Sequence, residues 1–82
     1  MIDSERQPID VLVAFMKNKV LPLSFRCNSK KYSIDKVNMI YSGWTGRNKW
    51  HYFTVSSNKD HFKLGFNTEN NKWFLEEAYY NN

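Results

Sequence analysis

The sequence predicts an all-β fold: a six-stranded antiparallel up-and-down meander curled into a small barrel or half-barrel. Three observations predict it. Apolar and polar residues alternate with period two in several runs, as Leu21, Leu23, Phe25 and Cys27 do against Pro22, Ser24 and Arg26. The runs are separated by tight-turn signals built on Asn and Gly. All connections are short, so neighbours in sequence are expected to be neighbours in space. A bulge in the long third strand supplies the curl.

Met1–Gln7 is polar, and residues 1–8 are expected to fray. After Pro8, Ile9–Met16 is apolar on both parities, which fits a strand covered on both faces or a short helix; we read a strand. Lys17-Asn18-Lys19 reads as a three-residue hairpin loop with Asn18 in the left-handed position. That loop sets Phe15 opposite Leu21, Val13 opposite Leu23 and Val11 opposite Phe25.

Val20–Tyr41 is the central hairpin. Asn28-Ser29 suits a two-residue turn, which pairs Cys27 with Lys30, Phe25 with Tyr32 and Leu23 with Ile34. Past Asp35-Lys36 the apolar set becomes Val37, Met39 and Tyr41, so a bulge is expected near Asp35-Lys36. Ser42–Asn48 reads as a loop punctuated by Gly43 and Gly46, and Lys49–Ser56 as the fourth strand. Ser57–Asp60 turns the chain. His61–Phe66 is the fifth strand, with Phe62, Leu64 and Phe66 inward and His61, Lys63 and Gly65 outward. Thr68–Asn71 is a loop, and Lys72–Glu77 the sixth strand, in a register that sets Phe66 opposite Trp73 and Leu64 opposite Leu75. Tyr79 and Tyr80 extend it or pack over an open end.

The 82 residues form one domain. A chain of this size buries only about 60% of its unfolded surface, so an aromatic-rich core or self-association must support it; aromatics make up 17%. The single cysteine excludes an internal disulfide. With no signal-peptide pattern and no long apolar run, the chain reads as soluble, cytoplasmic and without a membrane partner.

The residues that carry chemistry are sparse, and we expect no enzyme. His51 and His61 lie on strands expected to pair, which lets them approach, but with Cys27 they lack zinc-site spacing, and no carboxylate cluster completes a ligand set. No metal and no cofactor are expected. Cys27 reads as a small buried apolar residue. Glu76 and Glu77 are adjacent on a strand and are expected to face opposite ways. The glycines are too scattered for a phosphate loop.

A binding surface is better supported. In a meander the loops sort to two ends. One end gathers Lys17, Lys19, Arg47, Lys49 and Lys72 against Glu69, which accounts for the whole net charge of +4, since the remaining basic and acidic residues cancel. The same end carries Trp44 between two glycines. Cations that follow phosphates beside an aromatic that stacks on a base are what single-stranded nucleic acid requires. Trp44 either stands exposed as that platform or folds inward to plug the barrel. A second basic patch is expected on the outer face of the central hairpin, with Arg26 opposite Lys31 and Lys30 beside them; either water screens these charges or an anion fits there. The competing class is a protein-interaction or self-associating module, a homodimer included, that uses an exposed edge strand; Ile9–Met16 supports it, because its second apolar face needs a cover.

Pro22-x-x-Phe25, Lys31-Tyr32-x-Ile34-x-x-Val37, Trp44, Tyr52-Phe53, Leu64 and Trp73-x-Leu75-Glu76 together resemble a family of small uncharacterised bacterial all-β proteins, over roughly Val11 to Glu77. The pattern of that family has an aromatic two places after the phenylalanine, where this chain has Cys27. The family carries no established activity. Some members lie beside DNA-repair polymerase genes, so the resemblance implies a bacterial chain in a nucleic-acid setting.

Overall fold

A computed structural model describes residues 2–3 and 6–81 of the chain. The described residues contain no helix and eight strands: β1 (Ile2–Asp3), β2 (Gln7–Met16), β3 (Lys19–Cys27), β4 (Lys30–Ser33), β5 (Lys36–Thr45), β6 (Asn48–Ser57), β7 (Asp60–Asn67) and β8 (Lys72–Tyr79). Every pairing is antiparallel, in the order β4-β3-β2-β8-β7-β6-β5, with β1 also beside β8. The meander is a curled half-barrel, as its pattern predicts.

The sheet path has seven strands where six were expected, and the difference lies in two residues. Ile34 N–H donates to the Leu23 carbonyl (3.0 Å), and the next amide, Asp35 N–H, donates to the Ser56 carbonyl (2.8 Å). One step therefore carries the chain from the ladder with β3 to the ladder with β6, and the expected third strand divides into β4 and β5. β2 does the same at the other seam: Gln7–Ile9 pair with β8, and Asp10–Met16 pair with β3. These two crossing strands curl the sheet.

Phe25, Phe53, Val55, Phe62, Leu64, Leu75 and Ala78 form the core inside the curl. Phe25 stacks on Tyr32 (4.9 Å between centroids) and meets Phe62 edge-on (5.1 Å). Burying a ring of this size stabilises by roughly 2–3 kcal/mol. Tyr80 closes one end of the core against Phe62.

Much of the expected register is present. Cys27 faces Lys30 and Phe25 faces Tyr32 across Asn28-Ser29, whose φ values of 53° and 68° suit the favoured hairpin turn. Val11 faces Phe25, Phe66 faces Trp73, and Leu64 faces Leu75. Other expectations are corrected. The first hairpin turns on Lys17-Asn18 alone, Lys17 takes the positive φ (21°) in place of Asn18, and Phe15 faces Val20 while Val13 faces Pro22. The spare residue is taken up by a register shift beside Pro22, which has no N–H to give a ladder. Ile9–Met16 is a strand, but its second face is uncovered, with Leu12 and Met16 exposed, and at the tip Phe15 on the core-side face is exposed as well.

The bulge expected near Asp35-Lys36 is a break at Ile34-Asp35 followed by a bulge at Asn38. That bulge flips the phase once more, so Val37 packs on the core while Met39 and Tyr41 are exposed. Ser42–Asn48 is not a loop: β5 runs on to Thr45, and Gly46-Arg47 is a two-residue turn with Gly46 at φ 60°. Gly43 sits within the strand because a Cβ there would come 3.3 Å from the ring of Tyr52. Of the segment expected to fray, Met1, Ser4 and Glu5 lie outside the described residues, whereas Ile2, Asp3, Gln7 and Pro8 pair with β8.

Candidate nucleic-acid interface

The β5–β6 hairpin sets out the first three predicted residues. Trp44 faces Lys49 across the ladder, and Arg47 stands in the turn between them. Alternation puts Ile40, Ser42 and Trp44 on the face that Phe53 shares with the core. The hairpin outruns the core, so this inward face opens to solvent and Trp44 is 69% exposed. The choice left open between plug and platform is decided: Trp44 does not plug the half-barrel.

Lys72 joins this lip through the Thr68–Asn71 loop. Thr68 donates both its N–H (3.0 Å) and its hydroxyl (2.8 Å) to the Lys49 carbonyl. Asn67 faces Trp50 on one side and Lys72 on the other, and its buried side-chain oxygen accepts from the Glu69 amide (2.9 Å). At ~4.8 Å per strand, the backbones of Lys49 and Lys72 stand about 10 Å apart on one rim, Lys49 on the face of Trp44 and Lys72, through Asn67, on the opposite face with Trp50. Lys17 and Lys19 belong to a different projection. β2 leaves β8 at Ile9, and from there, among the described residues, the β2–β3 hairpin has no further strand beside its tip, where Phe15 is 81% exposed.

The second basic patch forms only in part. Arg26 does face Lys31, but Asp10 faces Arg26 from the other side, and this trio borders a depression of about 310 Å³. Lys30 is not beside them: its position opposite Cys27 sends its amine over the Tyr32 ring (5.1 Å) on the core-side face.

A set of residues that the sequence reading did not single out as a site lies on the outer face of β6, β7 and β8. Trp50, Tyr52 and Phe74 form a row, with Trp50 and Tyr52 stacked at 6.1 Å and Trp50 and Phe74 at 5.6 Å. Arg6, from the segment expected to fray, lays its guanidinium over Trp50 (4.5 Å) and makes two bonds of 2.9 Å to the Glu76 carboxylate. Glu76 lies flat because Gly65 is beneath it; a Cβ there would be 2.9 Å from a carboxylate oxygen. The bond to Glu76 holds the Arg6 guanidinium above its ordinary pKa, against the opposing effect of burial. Lys63 sits over Tyr52 (4.7 Å) and Tyr41 (5.6 Å), and its amine is raised by the hydrogen bond to Tyr41, with burial opposing.

Glu77 faces Lys63 at 3.8 Å. A register shift at Lys63/Leu64 therefore brings Glu76 and Glu77 to one face, where opposite faces were expected, and a cation engages each. The only sequence signal for this network is Gly65 within a strand.

The histidines do not approach each other. His61 faces Ser56, five positions from His51 on the same strand, and each imidazole instead meets a serine hydroxyl: His51 with Ser42 (3.1 Å) and His61 with Ser56 (3.2 Å). Cys27 is buried, with its Sγ 3.1 Å from the Gln7 side-chain oxygen. Among the described residues no three metal-ligating side chains cluster. Comparison with family models, with curated proteins and with solved structures finds no match to this chain.

Proposed function

We propose that this protein is a non-catalytic binding module that takes single-stranded nucleic acid at the open lip of the half-barrel. The observation that carries the reading is Trp44, a large aromatic 69% exposed on a hairpin with a two-residue turn, with Arg47 in the turn and Lys49 opposite. A base stacks on the indole, a contact of about 1–3 kcal/mol, and Arg47, Lys49 and Lys72 follow the phosphates. Lys17 and Lys19, on the separate β2–β3 arm, reach a longer strand.

The test is titration of labelled single-stranded DNA and RNA at two salt concentrations, with tryptophan emission as a second signal. With three or four phosphates engaged, log Kd is expected to change with log salt at a slope of about 2–3 in magnitude. Trp44→Ala should weaken binding by about 5- to 150-fold. Arg47→Ala should weaken it and reduce the slope by about 0.7. Absence of binding at low salt, or full binding by Trp44→Ala, would sink the proposal.

A further inference from the structure

We propose that the free edge of β5 pairs with the same edge of a second copy of this chain, joining two half-barrels through one continuous antiparallel sheet. The inference stands apart from the nucleic-acid reading. β5 is ten residues long, and among the described residues it pairs only with β6. In a two-residue hairpin the residues flanking the turn, here Thr45 and Asn48, exchange both hydrogen bonds. The alternation of an antiparallel ladder then turns Tyr41 and Gly43 toward β6 and the backbone groups of Ile40, Ser42 and Trp44 toward the open side.

Exposure identifies the kind of partner. Met39 and Tyr41 lie on one face of β5, Ile40 and Trp44 on the other, and all four are exposed. A flat surface covers one face of a strand; a strand added at the edge covers both. Charge then selects a second copy. Protein edges are commonly guarded by charge, proline or brevity. The opposite margin is guarded so: β4 has four residues, two of them Lys30 and Lys31. From Val37 to Thr45, β5 has neither a charge nor a proline.

A chain of net charge +4 is repelled by its own copy on most approaches, but between Val37 and Thr45 no like charges meet; Lys36 and Arg47 of the two copies come together only at the two ends of the ladder. The pairing is also self-complementary. Centred on Ser42, beyond the bulge at Asn38, it sets Ile40 against Trp44 of the second copy twice. The four exposed side chains present on the order of 500 Å² per chain, so the pair buries at most on the order of 1,000 Å², the lower limit of a specific interface. Pairing covers Trp44; on the nucleic-acid reading, and only there, self-association and oligonucleotide compete.

Sedimentation equilibrium over about 1–200 μM protein, without nucleic acid, tests the inference. The expected result is a shift from the 9.8 kDa monomer toward twice that mass, little changed by high salt. Ile40→Lys adds a guard charge, and Ser42→Pro removes an outward N–H while leaving the ladder with β6 in place; both should remain monomeric with wild-type circular dichroism. Phe15→Ser, on the separate arm, should associate as wild type does. A wild-type chain that stays monomeric throughout overturns the proposal. So does a dimer that survives Ser42→Pro, or one that Phe15→Ser abolishes.

Discussion

Trp44 and Trp50 stand on neighbouring rungs of one hairpin and meet opposite fates. Trp44 faces Lys49 and Gly43 faces Trp50, so the two indoles point to opposite faces of the same two strands. Trp44 has the core-side face and is 69% exposed; Trp50 has the outer face and is 4% exposed. Parity alone predicts the reverse. What decides is whether anything reaches across. Above Trp50 lie the Arg6 guanidinium and the Phe74 ring, and Glu76 anchors Arg6. Around Trp44 the sheet has outrun its own core. Burial here depends on cover, and the cover of Trp50 comes from the opposite end of the chain.

The contrast breaks most visibly in stability. Trp50→Ala should cost about 3–5 kcal/mol in urea unfolding, and Trp44→Ala no more than about 0.5 kcal/mol. Equal losses would mean that the two environments are not distinct. Trp50→Phe should cost far less than Trp50→Ala, because among the described residues the buried indole N–H has no hydrogen-bond partner and its removal relieves that penalty of about 1–3 kcal/mol.

Next in size is the cover. Arg6→Ala should cost about 1–2 kcal/mol and shift tryptophan emission to the red as Trp50 meets water. Arg6→Lys should restore less than half, since an ammonium cannot make the two parallel bonds to Glu76. Unchanged emission in Arg6→Ala would show that the guanidinium is not what shields the ring. Gly65→Ala sharpens the point through a change of sign. Alanine favours the strand by about 0.5 kcal/mol over glycine, but its Cβ displaces Glu76. The change should destabilise wild type and stabilise Glu76→Ala; the same sign in both backgrounds would refute the contact.

The same contrast explains what was legible in the sequence. Period-two alternation and Asn28-Ser29 were enough for the fold class and the central register, because adjacent strands meet through their own turns. That Trp44, Arg47 and Lys49 lie close together was legible because they are near in sequence; that they sit on a strand and its two-residue turn was not. What failed was non-local or offset. Gly43 next to Trp44 looked like a loop because the Tyr52 ring that fills its missing side chain lies on the next strand. Asn38 and Glu76 are extra residues at register shifts, which alternation cannot announce. Arg6 is 70 positions from Glu76 and sits in a polar stretch that composition reads as frayed.

The smallest expected effect concerns the other cation on the outer face. Lys63 is stabilised in its charged form, first by Tyr41 and then by Glu77 and Tyr52. Its folded pKa therefore lies above the unfolded lysine value of about 10.4. The contribution is complete below that value and is lost as pH rises through the folded one. Arg6 is also raised, but its guanidinium stays charged across this window, so alkali releases Lys63 and leaves the Trp50 cover in place. Urea melts of wild type and Lys63→Met between about pH 8 and 11 separate the two halves of this face. The stability difference should shrink toward the alkaline end while Trp50 emission stays blue; a pH-independent difference would mean that Lys63 acts through its aliphatic stem rather than its charge.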